Sequence, residues 1–244
     1  MSNNHEPRRR FLRQMLAVVP AASVTSGAAL SLAACDGAAP PHAASSESAG
    51  NAWRPDYFTA DEWRFLQAAV DRLIPGDASG PGALEAGVPE YIDRQMDTPY
   101  GHGKLWYMQG PFHPDLPADL GFQLNLAPRD IYRHGIKACD DHCRQRYDGK
   151  PFAQLAPDDQ DAVLGQMEHG KIDFDAVPAA TFFASLLGNT KEGFFADPIY
   201  GGNKGMAGWK MIGFPGARAD FADWIDQPGA KYPYGPVSID GRRG

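Results

Sequence analysis

Three cysteines in 244 residues are too few for a disulfide framework. None stands in a C-x-x-C or C-x-x-C-H arrangement, which removes thiol-redox and c-type haem attachment readings. G-x-S-x-G and H-E-x-x-H are also missing, so neither a nucleophile elbow nor a helical zinc-hydrolase site is announced. Positive charge is scarce: 23 Lys and Arg stand against 30 Asp and Glu, a net −7. No nucleic-acid partner is expected of such a chain. No segment alternates apolar and polar residues over a strand's length, so strands should be few.

What is present begins with a charge asymmetry. The first 34 residues hold four Arg and one Glu, a net of +3, and leave −10 on the rest. Arg8-Arg9-Arg10-Phe11-Leu12-Arg13 is followed by a mild apolar run and then Leu32-Ala33-Ala34-Cys35. A basic start, an apolar middle and small residues before a cut form a signal peptide. Arg8, Arg9, Phe11 and Leu12 resemble a twin-arginine signal, a route for cargo that is already folded. Pro7 and Arg13 depart from that pattern, which prefers Ser or Thr and Lys there. Pro20, Ser23, Thr25 and Ser26 make the run a poor permanent membrane span.

Leu-Ala-Ala-Cys resembles a lipobox that would make Cys35 an acylated first residue; cleavage at an ordinary small-residue site is the other reading. Several acyl chains on one residue anchor stably where one would not. Asp36 after the Cys resembles the signal that retains lipoproteins at the inner membrane. Residues 36–52, small and polar, cannot build a core and form a tether spanning roughly 20–25 Å. The expected organisation is a signal peptide over 1–34, a lipidated Cys and flexible linker over 35–52, and a body over 53–240.

The body is expected to be mainly α, a single helical domain with long ordered loops rich in Gly, Pro and aromatics. Thr59 and Glu62 form a capping box, after which Phe65, Leu66, Ala69, Val70, Leu73 and Ile74 recur at helical spacing until Pro75. A second helix is expected from about Pro89 to Asp97, with Tyr91, Ile92 and Met96 on its apolar side. An irregular excursion over 99–126 follows; its aromatics argue for order. His102 and His113 there are spaced unlike metal ligands.

Pro128 opens a third helix to about Tyr147. Cys139 and Cys143 share its apolar stripe with Tyr132 and Ile136. Buried thiols are the favoured reading of the two cysteines, and a strained bridge and a metal site with His142 are the alternatives. Pro157 begins a fourth helix, with Val163, Leu164 and Met167 inward. Pro178 begins a fifth, with Phe182, Phe183, Leu186, Leu187 and Phe194 inward, and Pro198 bars its continuation.

Glu192 to Arg218, EGFFADPIYGGNKGMAGWKMIGFPGAR, stands apart. It mixes aromatics with seven glycines, and each glycine costs backbone entropy on ordering while each aromatic forfeits burial if left wet. Two readings stay open: a loop packed on the chain's own core, or a surface that a partner covers. Gly201-Gly202-Asn203-Lys204-Gly205 lacks the strand and glycine spacing of a phosphate loop. Glu192, Asp197, Lys204 and Lys210 suit ion pairing or loop capping better than catalysis.

FFADPIYGGNKGMAGWKMIGFPGAR, together with YGHGKLWYMQGPF and FTADEWRFLQAAVDRLIP upstream, resembles the small (gamma) subunit of membrane-bound gluconate 2-dehydrogenase, the subunit 3 family, over roughly Tyr57 to Ile239. The resemblance implies a periplasmic complex. In it a large subunit of the glucose-methanol-choline class holds FAD and oxidises the sugar acid, and a multihaem cytochrome c passes electrons to ubiquinone. The small subunit has no assigned catalytic residue and assists folding and export of the flavoprotein. It implies no cofactor in this chain, and FAD and haem c in its partners; the inner-membrane attachment through lipid at Cys35 is the expectation drawn from the lipobox and Asp36. Phe195, Tyr200, Asn203, Trp209 and Phe214 are then the expected partner surface. The competing expectation is a stand-alone periplasmic ligand-binding lipoprotein or oxidoreductase using the Gly-rich loop 200–216.

Overall fold

The computed structural model describes residues 53–244 apart from 114, 115, 117–119, 122 and 219. The export signal, Cys35 and the linker therefore lie outside the described residues. Among the described residues six α-helices follow one another: α1 Ala60–Leu73, α2 Val88–Met96, α3 Pro128–Arg146, α4 Pro157–Glu168, α5 Ala179–Phe195 and α6 Ala207–Ile212. Only isolated bridges, such as Gly216 with Val237, represent β structure among the described residues. None of the described helices is long and apolar enough to cross a membrane.

Local chemistry sets the helix starts. The Thr59 hydroxyl accepts from the Glu62 amide while the Glu62 carboxylate accepts from the Thr59 amide, a complete capping box. Such caps are worth about 1 kcal/mol. Pro128 and Pro157 occupy first-turn positions of α3 and α4, where a missing N–H costs nothing. Asp158 and Asp159 fill the first turn of α4 and complement its dipole.

Helix α5 is the axle, packed against each of the other five helices. Its sequence, AATFFASLLGNTKEGFF, is apolar on more than one face, as an enclosed helix requires. Phe182 meets Phe65 of α1 at 6.0 Å and Tyr132 of α3 at 5.9 Å between ring centroids. The approach to α3 depends on Gly135, where a Cβ would fall 2.3 Å from the Phe182 ring. Cys139 and Cys143 are buried free thiols in this core. The hydrogen bond that the Cys139 thiol donates to Cys143, together with burial, pushes the Cys139 thiol well above its ordinary pKa.

A polar seam runs through the same core. The Tyr132 hydroxyl donates to the Asn189 side-chain oxygen at 3.0 Å, and the Asn189 amide donates to Tyr100 at 3.0 Å and to Glu192 at 2.9 Å. This seam fixes the start of the 99–126 excursion to α5. Burial raises the pKa of Tyr100, and of Tyr132 more strongly.

Candidate functional site

Helix α2 carries two buried acids, Glu90 and Asp93, and each holds a separate segment. Asp93 accepts from the Trp53 indole at 3.0 Å and from the backbone amides of Asp56, Tyr57 and Phe58 at 2.9–3.2 Å. It thereby fastens the chain's approach to α1. Glu90 accepts from Arg94 at 2.6 Å and pairs with Lys204 at 2.6 Å. The Arg94 guanidinium in turn lies 4.5 Å from the Trp53 ring centroid. The lysine stem crosses Gly87 so closely that a Cβ there would sit 2.6 Å from Lys204 Cε. Lys204 thus pairs with an acid inside the chain, in keeping with the ion-pairing expected of it.

The Gly-rich stretch is folded rather than draped. Asn203, in the left-handed region at φ 46°, donates from its amide to the Ala196 carbonyl and accepts from the Gly208 amide, both at 2.8 Å. Gly208 passes so near the end of α5 that a Cβ would lie 2.3 Å from the Phe194 carbonyl oxygen. The Trp209 indole donates to the Phe195 carbonyl at 2.7 Å, and Phe214 packs edge-on against the Trp209 ring. Helix α6, bounded by left-handed Met206 and Gly213, was not legible as a helix in the sequence.

Asp197 closes the arrangement. Its carboxylate accepts from the Ile199 amide at 3.1 Å, the Ser238 hydroxyl at 2.7 Å and the Ile239 amide at 2.8 Å. This is the loop-capping role expected of it, extended to residues 41 and 42 positions away. Sequence reasoning missed Glu90, Asp93 and Ser238. The one available signal was the pair of acids three apart on a helix only nine residues long.

The five residues expected to face a partner divide into two groups. Asn203 is fully buried and Trp209 nearly so, their polar atoms bonded within the chain. They are the frame. Phe195, Tyr200 and Phe214 are 40–49% exposed, and Met211 and Ile212 of α6 join them at 41% and 48%. Large apolar side chains thus stand in solvent on a segment whose backbone is fixed from beneath.

Other candidate chemistry is modest. The cleft between Asp61, Arg64, Asp140 and Arg144 encloses about 210 Å³, below the roughly 300 Å³ at which ligand pockets begin. Burial raises the Asp140 pKa, while its carboxylate accepts from the Phe152 amide at 2.9 Å. The His102 ring lies against the Arg129 guanidinium and His113 is exposed. The Nε2 of His142 is buried without a hydrogen-bond partner among the described residues, and burial lowers that ring's pKa. No cluster of three potential metal ligands occurs among the described residues.

No curated protein and no solved structure matches the chain. The family model described as gluconate 2-dehydrogenase subunit 3 matches residues 60–216, a span that runs from the first residue of α1 through the Asn203–Trp209 frame to Gly216. On that match, and with the helical core and the aromatic-glycine frame both inside it, the chain belongs to the gluconate 2-dehydrogenase subunit 3 family, whose members are subunits of a dehydrogenase complex.

Proposed function

We propose that this chain is the non-catalytic small subunit of a periplasmic, membrane-bound, FAD-dependent sugar-acid or polyol dehydrogenase. In this reading it escorts the flavoprotein large subunit through folding and twin-arginine export and then stabilises the complex. FAD belongs to that large subunit, of the glucose-methanol-choline class, and haem c to a cytochrome subunit. The periplasmic location and the inner-membrane anchor at Cys35 follow from the N-terminal sequence motifs.

The observation that carries the proposal is the exposed apolar set of Phe195, Met211, Ile212 and Phe214 on an internally satisfied frame. At 40–48% exposure each such side chain forgoes about 1 kcal/mol of burial, and aromatic anchors on rigid backbone are the usual centre of an interface. The frame lies within the family-matching segment, which supports a contact shared by the family.

Export supplies the test. With Arg8→Lys and Arg9→Lys in this chain, the large subunit should accumulate in the cytoplasm with FAD bound. Undiminished delivery of the flavoprotein to the periplasm would refute the escort role.

A further inference from the structure

Residues beyond Gly216 lie past the family match, yet they return to it. The Ala217 amide donates to the Val237 carbonyl at 2.6 Å and the Val237 amide to the Pro215 carbonyl at 3.1 Å. Ser238 and Ile239 donate to Asp197 at 2.7 and 2.8 Å. Residues 220–236 therefore form a loop whose base is cinched to Pro215 and Asp197, on either side of the Asn203–Trp209 frame. The loop has a small aromatic centre of its own: Tyr232 meets Phe221 at 6.2 Å, Trp224 at 5.6 Å and Tyr234 at 5.6 Å, with the Arg218 guanidinium 5.2 Å from the Phe221 ring.

Around that centre the loop turns outward what a solvated connection would hide. Ile225 is 76% exposed, Tyr234 61% and Phe221 44%. Asp220, Asp223 and Asp226 recur at every third position of DFADWID, and the Ala222–Trp224 helical turn carries the middle one. Arg218 pairs with Asp223 at 3.1 Å, and with Lys231 as the other base of the stretch the three carboxylates are in excess by one. An apolar tip beside excess carboxylate is complementary to an apolar patch edged by Lys or Arg.

We propose that the 220–236 loop is a second docking limb for the flavoprotein large subunit, inserting Ile225 and Phe221 into an apolar depression with a basic rim. This inference rests on the escort reading. The base of the limb is hydrogen-bonded to Asp197 and Pro215, which stand within two residues of Phe195 and Phe214 of the exposed apolar set, so a partner seated on that set lies beside the limb's base. Because the limb lies outside the family-matching segment, it provides selectivity for this chain's own large subunit, whereas the frame provides a contact shared by the family. Complementary charge acts through association rate and partner choice more than through affinity.

The test uses the full chain co-expressed with its large subunit, with binding and association rate measured on the purified proteins. Ile225→Asp should weaken binding about tenfold or more. The conservative Asp220→Asn with Asp226→Asn should slow association and flatten its salt dependence. Both variants should melt with the wild type, because the altered side chains are exposed. If both bind as wild type while Met211→Asp does not, the limb proposal is overturned and the escort reading stands. If wild-type chain and large subunit fail to associate at all, both fall together. If Ile225→Asp instead converts a dimer of this chain to monomer, the limb serves a second copy and the proposal is likewise overturned.

Discussion

The indole N–H of Trp53 donates to the Asp93 carboxylate at 3.0 Å, across 40 residues of chain. Three backbone amides share that carboxylate, so the acid on α2 fixes the chain's approach to α1. Replacing it by Ala strands four donors, each costing about 1 kcal/mol or more if buried unmet. Asp93→Ala should therefore lose at least about 3 kcal/mol in urea unfolding and open the chain near Tyr57 to proteolysis. Asp93→Asn, which keeps one acceptor oxygen, should fall between the two.

The α3–α5 crossing has no room to spare. A methyl at position 135 would meet the Phe182 ring at 2.3 Å, and overpacking of this kind costs about 1–3 kcal/mol. Gly135→Ala should lower the melting temperature although Ala is the better helix former. Gly188→Ala on α5, where nothing lies within 4 Å of the added Cβ, should be neutral or stabilising by up to about 1 kcal/mol.

High pH should loosen the core. Burial pushes the Tyr91 pKa up to about 12, and burial also raises Tyr100 and Tyr132. A phenol whose folded pKa exceeds its unfolded value of about 10 binds its proton more tightly when folded. Its contribution is whole below pH 10 and is lost as pH climbs toward 12. Stability followed by fluorescence should decline over that window, and Tyr91→Phe should make the decline shallower.

Cys139 and Cys143 should resist a thiol reagent in the native protein and react together on unfolding, as read by mass spectrometry of the peptide that contains them. Both are buried and free, and the raised Cys139 pKa leaves little thiolate. Ready labelling in the folded state would contradict this packing.

Much of the helical frame was legible because its signals are local. Thr59 with Glu62, and the prolines at 128, 157 and 178, mark helix starts within a turn of where they occur, and the inward stripes of α1, α3 and α4 follow helical spacing. The candidate site was legible only in part. Trp209 and Asn203 look like surface anchors in a Gly-rich string. Their burial depends on bonds to Phe195, Ala196 and Gly208 that composition does not encode. Asp93 and Glu90 look like solvent-facing acids until residues 53–58 and Lys204 arrive from far along the chain. Ser238 could not be tied to Asp197 because a loop of that length leaves no periodic trace.

The central claim concerns the exposed apolar set. Its most direct test is the dissociation constant between the purified large subunit and this chain carrying Met211→Asp with Ile212→Asp, set beside Trp209→Ala. The double variant alters side chains that are 41% and 48% exposed, so it should melt like the wild type yet bind at least about a hundredfold more weakly. Trp209→Ala should instead lose about 3 kcal/mol of stability. Wild-type affinity in a correctly folded Met211→Asp, Ile212→Asp chain would contradict the account.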